Sequence, residues 1–92
     1  MQYTPELHMI QRATSESIAG DLRRAVEFMN LSNQAQDCAT ARKYYKKARM
    51  AHDAADQLLR QQLPASPSAR AEFGAAIARL RSRLVAYESV HS

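Results

Sequence analysis

The chain has no tryptophan, one cysteine, two glycines and three prolines in 92 residues. The single Cys38 excludes an intramolecular disulfide and any cysteine-based zinc site. A lone thiol also suits a reducing compartment. With only Gly20 and Gly74 there is no glycine-rich loop to cradle a phosphate. Leu, Ile, Val and Phe together number 16, against 17 Ala. Sheets draw on β-branched and aromatic side chains, with Gly and Asn at their turns, so this shortage argues against strands. No apolar run approaches the roughly 18 residues of a membrane span. The opening stretch, MQYTPELHMIQ, lacks the basic segment followed by an apolar run that marks a secretory signal. The expected protein is therefore cytoplasmic, with no membrane partner.

What the chain has in quantity is Ala, Arg, Gln and Leu, the strong helix formers. Those residues and that length predict an all-α protein: one helical domain over 1–92, folded as an antiparallel up-down-up bundle of three helices at about 5–30, 33–62 and 67–90, the first and second long. A chain this short buries only about 60% of its unfolded surface, so the core is expected to be thin.

The first helix starts at Thr4-Pro5-Glu6, where a cap residue, a first-turn proline and an acid at the positive helix end coincide. Its apolar stripe is Leu7, Ile10, Ile18, Leu22, Ala25 and Met29, with Thr14 completing the spacing. Gly20, beside the weak Thr14–Ser17 stretch, predicts a bend over 14–20. Asn30-Leu31-Ser32-Asn33 reads as the first turn, with Asn33 and Gln36 as a capping box. The second helix carries Cys38, Ala41, Tyr45, Ala48, His52, Ala55 and Leu59 in alternating three- and four-residue steps. A second row runs through Tyr44, Ala48, Ala51, Ala55 and Leu58. Together the rows cover an arc wide enough to touch two neighbours. Ser66-Pro67 starts the third helix, whose stripe is Phe73, Ile77, Leu80, Leu84 and Tyr87. The tyrosine and alanine spacing of the second helix has no second copy about 34 residues away, so the chain is not a tandem helical repeat.

A hairpin turning at 31–33 sets residues whose numbers sum to about 63 or 64 opposite each other. It places His8 near His52 and Asp56, and Asp21 opposite Arg42 and Lys43. His52 and Asp56 have a four-residue spacing that can chelate a metal, but no further ligand is offered, so no metal and no cofactor are expected. Asp21 is expected in a salt bridge that fixes helix register. Cys38, on the apolar row with no histidine in register, is expected to be a small core residue rather than a nucleophile. No catalytic constellation emerges, and an enzyme is not expected.

Two surfaces are left over. The formal net charge of +4 is uneven. Arg42, Lys43, Lys46, Lys47 and Arg49 bring five bases into eight residues with no acid among them. Such a run repels itself unless something anionic meets it. On the third helix, Gly74, Ala78 and Val85 align with Arg81 in a smooth stripe off the core face, suited to close helix approach. These nine residues are the candidate partner-binding positions. The expected function is a small non-catalytic helical module (an adaptor, co-chaperone or inhibitor of the kind that mobile elements and phages encode) that occupies a protein with an acidic surface. A second copy of the chain is a further candidate partner. The alternative is a nucleic-acid-associated protein using the basic faces of the second and third helices.

Overall fold

A computed structural model describes the backbone over residues 5–61 and 67–91 and the side chains over 14–61 and 67–90. It consists of three helices, α1 (Pro5–Gln34), α2 (Cys38–Gln61) and α3 (Pro67–His91). Among the described residues there is no strand. Both expected first-turn prolines, Pro5 and Pro67, open their helices. The fixed φ of proline fits that position, and its missing N–H is one that a helix start cannot use.

The three helices lie side by side in a body 57 Å long and 17 by 16 Å across. Two clusters fix their order and direction. Ile18 of α1 packs with Ala55 of α2 and Ile77 of α3 in one layer. Ala25 and Met29 pack with Ala48, Leu80 and Leu84 in the next. Numbers therefore rise together along α1 and α3 and fall along α2, which is the up-down-up arrangement. The stripes expected on α1 and α3 supply these layers, with Thr14 buried and Leu22, Phe73 and Tyr87 part-buried around them. The central helix contributes Ala41, Ala48 and Ala55 at seven-residue steps, with His52 beside them, as its only buried side chains. Methyl groups at those positions let α2 lie close to both neighbours.

The first turn is displaced from its expected place. α1 continues through Leu31–Gln34, and the chain reverses at Ala35–Asp37. Asp37, not Asn33, caps α2: its Oδ1 accepts the Thr40 N–H at 2.8 Å, and its Oδ2 accepts the Thr40 hydroxyl at 2.8 Å. The Asp37 carbonyl accepts the first helical N–H, from Ala41, at 3.1 Å. A charged cap on an orphan helical N–H outweighs the neutral Asn33–Gln36 alternative. Ser32 explains why α1 runs on. It is buried, and its hydroxyl donates to the Ala41 carbonyl across the hairpin at 2.8 Å. Tertiary contact here overrides the poor helix propensity of Asn30, Ser32 and Asn33.

Moving the turn moves every cross-hairpin pair. Ser32 meets Ala41 and Phe28 meets Tyr44, so partners sum to about 72. Asp21 is accordingly far from Arg42 and Lys43, and it pairs within its own helix with Arg24. Cys38 becomes the first residue of α2 and is exposed, not a core residue. α1 runs as one uninterrupted helix through Gly20. The His8 side chain and the Thr4 and Ser66 caps lie outside the described residues.

Candidate partner-binding surfaces

The bundle has two long seams flanking α2, and the basic run divides between them. Successive helical residues turn by about 100°, so positions four and seven apart share a side. Arg49 turns toward α3, where its guanidinium pairs with Glu88. Arg42, seven residues earlier, lies on the same side. Lys47 turns toward α1, where its ammonium sits 5.6 Å from the Phe28 ring centroid and 6.0 Å from that of Tyr44. Lys43, one turn before it, shares that side. Lys46 stands between them on the outer surface. All five side chains are exposed, but they form a wrap around α2 rather than a single face.

The α2/α3 seam gathers Arg49 with two residues of the α3 stripe, Arg81 and Val85. They line a groove of about 230 Å³ together with His52, Asp53, Asp56, Leu84 and Glu88. Its charges are matched internally. Glu88 takes both the Arg49 guanidinium and the Tyr45 hydroxyl, and Arg49 Nη1 donates to that hydroxyl at 3.1 Å. Asp56 takes Arg60 at 3.2 Å and Arg81 at 3.5 Å. Arg49 therefore reaches across to Glu88 rather than along its helix to Asp53.

Asp53 is engaged with His52, whose Nδ1 lies 2.9 Å from its Oδ1. A carboxylate oxygen accepts here, so Nδ1 is the donor of this hydrogen bond. The other ring nitrogen, Nε2, is sealed from solvent and has no partner among the described residues. Such an orphan costs about 1–3 kcal/mol. His52 is thus a buried residue at the edge of the core, and Asp56, four residues on, pairs with Arg60 and Arg81. Among the described residues no three His, Cys, Asp or Glu side chains are grouped to hold a metal ion.

The Tyr45 ring stacks on Tyr87 with centroids 4.5 Å apart and planes at 14°. Burial pushes the Tyr45 hydroxyl above its ordinary range, and its hydrogen bond to Glu88 adds to this while Arg49 opposes it. The hydroxyl and its two charged partners thus tie α2 to the end of α3. Arg83 Nη2, donating to Asn30 Oδ1 at 3.0 Å, ties α3 to α1. The rest of the α3 stripe is open: Ala78 is exposed, and a methyl added at Gly74 would meet nothing within 4 Å.

The α1/α2 seam has a different character. Phe28 and Tyr44 stack with centroids 6.2 Å apart at 21°, and Leu31 beside them is 42% exposed. Lys47 caps the pair, and no carboxylate reaches Lys43, Lys46 or Lys47 among the described residues. Tyr44 was expected on the second apolar row of α2, and it is half-buried there. Its outer edge is shared with Lys47. Phe28 and Leu31 had no place in the expected surfaces, because a turn at 31–33 sets them opposite the wrong residues. With the turn placed at Ala35–Asp37, the spacing of Arg24, Phe28 and Leu31 against Tyr44 and Lys47 would have exposed the seam.

No helix among the described residues is long and apolar enough to cross a membrane. No protein-family model, curated protein or solved structure matches this chain. A functional assignment therefore rests on these surfaces.

Proposed function

We propose that this protein is a small non-catalytic helical module, an adaptor, co-chaperone or inhibitor of cytoplasmic type, that acts by occupying an acidic protein surface. The observation that carries this reading is the unequal use of charge around α2. Each acid facing α3 is engaged by a base or by His52, and Asp37 is engaged as a cap. Arg42, Lys43 and Lys46 stand exposed, with no acid paired with them among the described residues. Like charges four residues apart, as in Arg42–Lys46, cost a few tenths of a kcal/mol per pair. An acidic partner converts that repulsion into attraction and faster association.

Nucleic acid is the competing partner for the same charge. Stacking on bases needs an open ring face, and the ammonium of Lys47 lies over both aromatic rings of the basic side. That favours protein. Self-association has its own support at the α3 edge, where Val85 is 51% exposed beside buried Leu84 and Gly74 leaves open space.

The test is retention from source-cell lysate on immobilised protein, with and without nuclease, comparing the parent with R42E/K43E/K46E. The expected result is a protein retained by the parent after nuclease treatment and lost on the triple variant. Retention of nucleic acid alone, or equal retention by both forms, overturns the reading.

A further inference from the structure

We propose that the docking centre is the α1/α2 seam at Phe28, Leu31, Tyr44 and Lys47, and that its occupant is an acidic protein segment carrying an apolar or aromatic anchor. This inference rests on the acidic-partner reading above and narrows it to one place and one kind of segment.

At the seam, exposed positive charge on Lys43 and Lys47 lies beside accessible apolar area on Leu31 and the two rings. Phe28 and Leu31 form one wall on α1, and Tyr44 with Lys47 forms the other on α2. The stacking of Phe28 on Tyr44 shows that the two rows face each other. Both rings are half-buried, Phe28 packs against the core cluster, and Leu31 extends the apolar strip toward the turn. Aromatic anchors rooted in a core are the residues that dominate binding energy at protein interfaces.

Charge decides the occupant. Lys47 is held over the two rings, within the range in which an ammonium is attracted to an aromatic face. That contact draws the ammonium toward the rings without neutralising it. Lys43, one turn earlier, is exposed and has no ion pair among the described residues. Arg24 is already matched by Asp21, and Glu27, one turn before Leu31, borders the seam on its outer side. A purely anionic ligand would satisfy the lysines and leave Leu31 and the ring edges wet. A purely apolar ligand would bury the lysines without a counter-charge. A segment with carboxylates flanking an apolar side chain satisfies both, with the anchor on Leu31 and the exposed ring edges and the acids on Lys43 and Lys47. The α2/α3 groove lacks this demand, because its carboxylates and guanidiniums already pair with each other.

Two acidic polymers separate the possibilities without knowledge of the natural partner. Poly-L-glutamate offers charge alone, and a random glutamate–tyrosine copolymer of equal charge offers charge with anchors. Binding is read by fluorescence anisotropy of labelled polymer at low salt. The parent is expected to bind the copolymer about ten-fold more tightly, the worth of one good anchor. Leu31→Ser should reduce copolymer binding to the poly-glutamate level, whereas Met50→Ser, also an exposed apolar residue of the bundle, should not. If Leu31→Ser fails to fold, copolymer-induced NMR shifts in the parent decide: the proposal requires them at Phe28, Leu31 and Tyr44, and shifts centred on Val85 overturn it. Equal affinity for the two polymers overturns this inference and leaves the acidic-partner reading standing. Binding of neither polymer overturns that reading as well. Tighter binding of a single-stranded oligonucleotide of equal charge overturns both in favour of nucleic acid.

Discussion

Ala48→Leu should destabilise this protein more than any surface change. Ala48 is fully buried between Ala25 and Met29 of α1 and Leu80 and Leu84 of α3. The methyl group there sets how closely three helices approach. An isobutyl group in its place must displace α1, α3 or both, and overpacking of this kind costs about 1–3 kcal/mol. At 0.05–0.15 kcal/mol per residue the whole fold is worth roughly 5–14 kcal/mol, so the loss is a large fraction. At about 4–8 °C per kcal/mol for a chain of this size, Tm should fall by about 4–24 °C. Thermal unfolding followed by circular dichroism measures it. Ala54→Leu, at an exposed position of the same helix, is the control and should stay within about 0.5 kcal/mol of the parent. If the two variants unfold together, α2 is not the central helix and the packing described here is wrong.

Gly20→Ala should raise Tm, because the added methyl meets only the end of the Arg24 side chain at 3.7 Å and alanine gains up to about 1 kcal/mol in a helix interior; a lower Tm would mean that α1 is strained at that point. Asp37 is held below the ordinary carboxylate range, first by the Thr40 N–H and then by the Thr40 hydroxyl. Its contribution to stability is present above the ordinary aspartate value and is lost as pH falls through the lowered one. Asp37→Asn should keep most of the cap and lose this acid dependence, while Asp37→Ala should lose both, as denaturant midpoints between pH 2 and pH 7 would report. Tyr45 has the opposite sign: its hydroxyl is raised, so its contribution is present below about pH 10 and is lost as pH climbs through the folded value. Tyr45→Phe should flatten that alkaline loss, and an unchanged alkaline limb would remove Tyr45 as its source.

The class and topology were legible because Ala-rich periodic stripes leave little choice. Ile18, Ala25, Met29, Ala48, Ile77, Leu80 and Leu84 all fall on the stripes read from spacing, and all are buried. The hairpin register was not legible to the same degree. Asn30, Ser32 and Asn33 have the composition of a turn, and local propensity favours ending α1 there. Two interactions decide otherwise: the Asp37–Thr40 cap is local and could have been weighed against Asn33–Gln36, while the Ser32 bond to Ala41 exists only once the hairpin has closed. A turn moved by a few residues re-pairs the whole of α1 with α2. For that reason the basic run was visible in the sequence, but its splitting between two seams was not. Periodicity places Lys47 and Arg49 on different sides of α2, yet only the folded partners, Phe28 on one side and Glu88 on the other, distinguish an unneutralised charge from a neutralised one.

The association rate with the acidic glutamate–tyrosine copolymer, measured by stopped flow as a function of salt, tests the functional reading most directly. Raising salt from about 0.01 M to about 1 M shortens the screening length from about 30 Å to about 3 Å. If the unpaired bases of α2 steer an acidic partner, the parental rate should fall steeply over that range, and R42E/K43E/K46E should associate slowly at low salt with little salt dependence. Equal rates and equal salt slopes for the two proteins, with native circular dichroism in both, would show that these bases are a solvated face and would contradict the account.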